Sequence, residues 1–199
     1  MLQLLETIKI YQGVPQNLSL HGERMNRSRQ KLFGCTDLIN LQELIKVPAE
    51  LTAHTLRCRI IYDKAVNSIE LSAYTPARTE TLVLVDAGTL DYSYKYLDRA
   101  CLNALLSKDI ADDILIVKNS FITDTSYANI VFTDGKEWIT PDTPLLNGTM
   151  REKLLRSGLI REASIKVTDL KRFTHFRLIN AMLEFDAPLI PLSKVLSGI

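Results

Sequence analysis

The stretch from Ile114 to Thr140 limits the fold most, because ILIVK, FITD and NIVFTDGKEWIT are β-favouring runs separated by only a few residues. A chain cannot return in parallel across so short a gap, so this part of the sheet reads as largely antiparallel and able to curl into a barrel. TDGK is a hairpin signal, since Asp-Gly accepts the positive φ angles of a type I′ turn. ITDTSYANIVFTDG, from Ile122 to Gly135, reads as two facing strands, yet it places Asp124 and Asn129 where a strand favours apolar residues.

Elsewhere the periodicity outlines two lobes. The run from Leu4 to Tyr11 ends in the turn QGVPQN, and LSL reads as the start of a return strand. HGERMNRSRQKLFG sets polar residues around Met25, Leu32 and Phe33 and predicts a helix that stops at Gly34, with a second short helix over Leu38 to Ile45. LRCRIIYD, SIELSAY and TLVLVDA are strand-like. YTPARTE reads as a connection, which gives a small lobe over residues 1–80 and a larger barrel-like lobe over 81–199. In the larger lobe YSYKYLDRACLNALLS predicts a helix with Leu97, Cys101, Ala104 and Leu105 on one face, and NGTMREKLLRSG predicts another. SIKV, RLINAM and APLIPL complete the strands, and the fold class is α+β.

Composition removes several function classes. A net charge of +1 over 199 residues, with both signs interspersed, gives no footprint for nucleic acid or anionic membranes. Cys35, Cys58 and Cys101 are odd in number, lack metal-ligand spacing and suit a reducing compartment. With neither a basic leader nor a long apolar run at its start, the chain is expected to be cytoplasmic. P-loop, GxGxxG, serine-triad and HExxH signatures are lacking, and His21, His54 and His175 are too far apart in sequence to suggest a site.

The remaining chemistry is dispersed over HGERM, YKYLDR, ITDTSYAN, LLNGTMR and LINAM. In this order the pieces resemble the class IV aminotransferase family of pyridoxal-phosphate enzymes, fold type IV, from about ETIKIYQG to the final PLIPL. That family includes branched-chain and D-amino-acid aminotransferases and 4-amino-4-deoxychorismate lyase. The resemblance implies that Lys95 bonds to the aldehyde of pyridoxal 5′-phosphate and acts as the catalytic base, whereas composition alone makes it one more solvated lysine. It implies that Arg24 grips the phosphate through two parallel hydrogen bonds and that the backbone N–H groups of Thr149 and Met150, at a helix start, face the same phosphate. Asp124 stands where relatives carry a Glu against the pyridine nitrogen; with Asn129 it can equally close a turn beside strands. LINAM resembles the last phosphate-side strand, which implies that Asn180 and Ala181 lie nearest the cofactor and bind it. Arg59 matches, loosely, a residue facing the substrate carboxylate, with Arg57 and Tyr62 as alternatives.

The resemblance further implies a homodimer, with the cofactor between the lobes and a small amino compound as substrate. Relatives usually carry about one further strand and a glycine-rich loop ahead of the ETIKIYQG equivalent, where this sequence starts. LINAM, NGTMR and the short length favour the lyase that yields 4-aminobenzoate and pyruvate. The alternatives are an aminotransferase using a small amino acid and a 2-oxo acid, and a non-catalytic relative that kept the fold.

Overall fold

Alternation of apolar residues with polar ones builds the first sheet. The computed structural model describes residues 2–106 and 110–198. In β1 (Leu4–Tyr11) the positions Leu4, Glu6, Ile8 and Ile10 are buried while their neighbours are not. β1 pairs antiparallel with β2 (Val14–Pro15) and with β3 (Leu56–Tyr62), and β3 pairs antiparallel with β4 (Val66–Ala73), giving the order β2-β1-β3-β4. The inward residues of β3 are Leu56, Cys58, Ile60 and Tyr62. They close with those of β1 and with Met25 of α1 (Leu18–Phe33) into one apolar cluster. Burial pushes the Cys58 thiol up to about 11, so it packs as a small apolar group.

α1 ends at Gly34 as its sequence predicts, but LSL forms its first turn and the return strand is only Val14–Pro15. Asn17, at φ 52, makes the turn that sends the chain into the helix. The next helix, α2, is one turn long (Leu41–Leu44). Arg29 of α1 is almost wholly buried and ties the helix down. Its Nε and Nη2 donate to the Lys64 carbonyl at 3.0 and 2.7 Å, and Nη1 donates to the Asp37 carbonyl at 2.8 Å.

Met1–Pro76 and Tyr94–Asp98 form one compact unit, and Ala77–Ser93 with Arg99–Ile199 form the other. The segment around Lys95, expected to be helical, is extended along the free part of the edge that β1 shares with β2. Leu4 bridges Tyr96, Leu5 N donates to the Lys95 carbonyl at 2.9 Å, and Leu97 N donates to the Gln3 carbonyl at 2.9 Å. The open strand edge outcompetes the apolar helical spacing of Leu97, Cys101, Ala104 and Leu105, so the helix α3 shrinks to Ala100–Asn103. Ser107, the last residue of the expected helix, lies outside the described residues.

The second unit holds β5 (Leu82–Asp86), β6 (Asp113–Lys118), β7 (Phe121–Thr125), β8 (Asn129–Thr133), β9 (Trp138–Pro141), α4 (Thr149–Arg156), β10 (Arg161–Ala163), β11 (His175–Ile179), β12 (Ile190–Pro191) and β13 (Val195–Leu196). They make two sheets, β13-β5-β6-β7 and β10-β9-β8-β11-β12. Pairs joined by tight connections are antiparallel, as expected, but β5 with β6, β13 with β5 and β10 with β9 are parallel. The long connection from 87 to 112 supplies the crossover that a parallel β5–β6 pair requires.

β7 and β8 do not pair as a hairpin. They belong to different sheets, linked by a turn in which Thr125 N donates to the Ala128 carbonyl at 2.9 Å. The TDGK turn is also wider than a two-residue type I′ loop. Thr133 pairs with Trp138, Gly135 has a positive φ of 96° while Asp134 does not, and Asp134 Oδ1 accepts from Lys136 N at 2.9 Å. An aspartate side chain that binds nearby backbone N–H groups stabilises such a loop without a left-handed residue at its own position.

β8 is buried on both faces: Ile130 and Phe132 join the larger apolar cluster with Phe173 and Phe176, while Val131 packs with Met150 and Leu154 of α4. Among the described residues no helix is long and apolar enough to cross a membrane.

Because Arg29 satisfies buried backbone carbonyls, Arg29→Ala is expected to cost about 3 kcal/mol, the order for leaving buried acceptors unpaired. Urea unfolding measures it; a loss below about 0.5 kcal/mol, the range of neutral surface changes, would show that α1 is held by apolar packing alone.

Candidate active site

A glutamate in the inward register of a strand must find positive partners, because desolvating a carboxylate costs several kcal/mol on the order of magnitude seen for buried ions. Glu6 is fully buried, and α1 supplies the partners one turn apart. Arg24 Nε donates to Glu6 Oε1 at 2.9 Å and Nη2 to Oε2 at 2.6 Å, while His21 Nδ1 lies 2.6 Å from Oε2. Burial alone would raise the Glu6 pKa, but the Arg24 charge and the hydrogen bonds from His21 and Arg24 bring it down to about 2. Burial, together with the Arg24 and Lys95 charges, outweighs Glu6 at His21 and lowers its pKa. An ionised carboxylate only accepts, so Nδ1 of the neutral imidazole carries the proton and Nε2 the lone pair.

The structure thus brings Arg24 and Lys95 into the same unit, around His21 and Glu6, which sequence reasoning passed over. A carboxylate in the series Leu4, Glu6, Ile8, Ile10 was the signal that could have found them, together with His21 and Arg24 at i and i+3 ahead of Met25. Lys95 is half-buried, with Tyr94 and Tyr96 on either side in sequence, their rings edge to face at 6.1 Å. The Nε–Nη2 edge of Arg24 is turned to Glu6, so an anion would meet its Nη1–Nη2 edge instead.

In the second unit Asp124, at the end of β7, and Asn129, at the start of β8, form a buried knot. Asn129 Nδ2 donates to Asp124 Oδ1 at 2.8 Å and to the Leu146 carbonyl at 2.9 Å, and Leu146 N donates to Asp124 Oδ2 at 3.0 Å. These polar residues therefore fix the loop that leads into α4. Gly148 completes the arrangement, because a Cβ there would lie 2.0 Å from Asn129 Oδ1. It is also the residue that caps α4, and it makes no side-chain cap bond. Thr149 and Met150 form the first turn of α4 and are buried. Burial raises the Asp124 pKa to about 6, against the Leu146 and Asn129 hydrogen bonds and the Arg151 charge. Arg151 is itself buried and donates through Nη2 to the Pro141 carbonyl at 2.8 Å.

Asn180 lies just beyond β11, in a turn and not in the strand that the LINAM match suggested. Its Oδ1 accepts from Met182 N and Leu183 N at 2.8 and 2.9 Å, and Ala181 is the half-buried residue of that turn. Of the three substrate-side alternatives, Tyr62 faces the core. Arg59 Nη1 lies 3.3 Å from Glu70 Oε2, its cross-strand neighbour, and Arg57 holds a buried Nε without an acceptor among the described residues.

The chain matches the family model for amino-transferase class IV over residues 3–186. It belongs to the class IV aminotransferase family. A Haemophilus influenzae protein of uncharacterised function is 40% identical over 185 residues, covering 92% of this chain and 98% of its own. The structure of a Haemophilus somnus 129pt protein, provisionally named a 4-amino-4-deoxychorismate lyase, is 36% identical with a TM-score of 0.84, over 92% of this chain and 97% of that one. A Mycobacterium tuberculosis aminotransferase in its PLP-bound form, 20% identical, covers 94% of this chain and 80% of its own at a TM-score of 0.74, a likeness of fold. Likewise a fold IV transaminase from Curtobacterium pusillum, 16% identical, covers 98% of this chain and 76% of its own at a TM-score of 0.75. The fold is therefore fold type IV.

Two outcomes follow for the knot. Gly148→Ala is expected to push Asn129 off Asp124 and destabilise the chain by about 2 kcal/mol, near the cost of leaving a buried polar group unpaired. Thermal unfolding reads this, and an unchanged melting temperature would contradict the close approach. Because the Asp124 pKa is raised on folding, its stabilising contribution is complete below 3.8 and is lost as pH rises to about 6. In the apoprotein, Asp124→Asn should remove roughly 2–3 kcal/mol of pH dependence from that window, and identical urea midpoints against pH in both proteins would contradict it.

Proposed function

We infer that the chain is a pyridoxal-phosphate-dependent lyase that converts 4-amino-4-deoxychorismate to 4-aminobenzoate and pyruvate. The likeness in sequence and in structure to the Haemophilus somnus protein carries this reading, since it spans nearly all of both chains. Its side chains fit the cofactor's groups. Asp124 accepts from Asn129, Leu146 and the Leu145 backbone, and a carboxylate's roughly four acceptor positions leave capacity for a pyridinium N–H. The glycine cap of α4 offers a side-chain-free helix start, where backbone N–H groups and the helix dipole favour a phosphate.

Pyridoxal phosphate, when bound, supplies an electron sink for the electron pair left on the substrate carbon that loses a proton. Lys95 would hold the cofactor through its aldehyde and would serve as the general base at the substrate carbon. The Asp124 carboxylate would face the ring nitrogen and keep it protonated. Arg24 would bind the phosphate; in the second unit the Thr149 and Met150 backbone would offer N–H groups suited to such a group, with Asn129, Asn180 and Ala181 as further candidate cofactor contacts. A substrate carboxylate falls to the outward arginines of β3, Arg59 and Arg57. The Arg59–Glu70 pair is half exposed and of the kind worth less than about 1 kcal/mol, so a carboxylate can displace it. Departure of pyruvate with its ether oxygen and loss of the ring proton leave an aromatic product. The same reading makes the working form a homodimer.

An aminotransferase acting between a small amino acid and a 2-oxo acid is the second reading, favoured by the description of the family model itself. Protein incubated with pyridoxal phosphate should show a visible band that borohydride abolishes, with the label on Lys95. Lys95→Ala should lose the band and at least about 10²-fold in rate, the lower range for a general base. Pyruvate should form from 4-amino-4-deoxychorismate without any 2-oxo acid. Turnover of amino acids with 2-oxoglutarate, and none of 4-amino-4-deoxychorismate, would overturn the lyase reading in favour of the aminotransferase.

A further inference from the structure

We propose that Glu6 is a positioning residue for phosphate recognition: its buried carboxylate locks the Arg24 guanidinium so that its Nη1–Nη2 edge is directed to the cofactor's phosphate. This inference rests on the reading of Arg24 as a phosphate ligand. An arginine on a helix has several rotamers, and holding one costs side-chain entropy unless another group fixes the side chain first. Here two bonds, at 2.9 and 2.6 Å, engage one edge of the planar guanidinium and determine the direction in which the other edge faces.

Glu6 is itself held from the other side. His21 Nδ1 binds Oε2, the oxygen that also accepts from Arg24 Nη2, so the carboxylate plane is set by two residues of one helix. The backbone of β1 is paired with β3 from Leu4 to Ile10, on both sides of Glu6, which leaves Glu6 little freedom to follow Arg24 if the guanidinium moves. A phosphate would thus meet a cation whose orientation is determined before binding. Such preorganisation improves affinity by lowering the ordering cost and adds no new contact. The negative charge of Glu6 also prevents the site from carrying the uncompensated charge of a buried arginine when no phosphate is present.

The prediction concerns the phosphate ester alone, so the readout is the ratio of dissociation constants for pyridoxal and pyridoxal phosphate, titrated by absorbance. Glu6→Gln should lower this ratio at least tenfold through weaker binding of pyridoxal phosphate, with pyridoxal binding changed less than twofold. Arg24→Met should lower it as far or further, and the double variant Glu6→Gln/Arg24→Met should match Arg24→Met within twofold. An unchanged ratio in Glu6→Gln, or a double variant well below Arg24→Met, would overturn the proposal. If Glu6→Gln is too unstable to titrate, Glu6→Asp, which keeps the charge but shortens the reach to Arg24 by one methylene, decides by the same ratio: a clear fall supports the positioning role and an unchanged ratio overturns it. Borohydride trapping of the wild-type chain tests the parent reading separately. No adduct at Lys95 overturns both readings, whereas an adduct with unaltered discrimination in Glu6→Gln overturns the positioning role alone.

Discussion

A carboxylate removed from water inside an apolar sheet-helix layer dictates much of the first unit. Glu6 sits among Leu4, Ile8 and Ile10 on the inward face of β1, where an ion without partners would neutralise or unfold its surroundings. Arg24 and His21 must therefore lie on the face of α1 turned to the strand, and that requirement sets the rotation of the helix. Met25 and Arg29 follow on the same face, the first into the apolar cluster and the second onto the carbonyls of Lys64 and Asp37. One ion cluster thus couples the register of a strand to the rotation of a helix, and the edge of the same strand carries the Lys95 segment.

The second unit uses a smaller version of this logic. Asp124 and Asn129 occupy the facing ends of two strands in different sheets, and their hydrogen bonds to Leu146 bring the loop before α4 against β7 and β8. The cost of burying a carboxylate appears in its raised pKa, and a cationic ring nitrogen is the kind of partner that would lower it again. The aspartate is anchored through both oxygens. Gly148 is required where helix and amide approach most closely, so one residue serves the packing of Asn129 and the bare start of α4.

Much of this was legible in the residues. β-Favouring runs marked β1 and β3, polar residues around Met25, Leu32 and Phe33 with the stop at Gly34 marked α1, and NGTMREKLLRSG marked α4. The segment around Lys95 was not legible, since its apolar spacing fits a helix and only the open edge of β1, distant in sequence, makes it extended. The split of β7 and β8 between two sheets was hidden for a related reason. Strands buried on both faces show no alternation that would tell which sheet each one joins. Motif order proposes Lys95, Arg24 and Asp124 as site residues, whereas Glu6 and His21 needed the question of what a charge does on a buried face.

Phosphate capture by a fixed cation is the claim on which the functional account depends most directly, and ³¹P NMR of the protein with bound pyridoxal phosphate between pH 5 and 8 tests it. The account predicts a bound resonance whose shift hardly moves, because a guanidinium fixed against the phosphate would keep it a dianion well below its ordinary second pKa of about 6. A bound resonance that titrates like free cofactor would contradict it, placing the phosphate in water and away from Arg24.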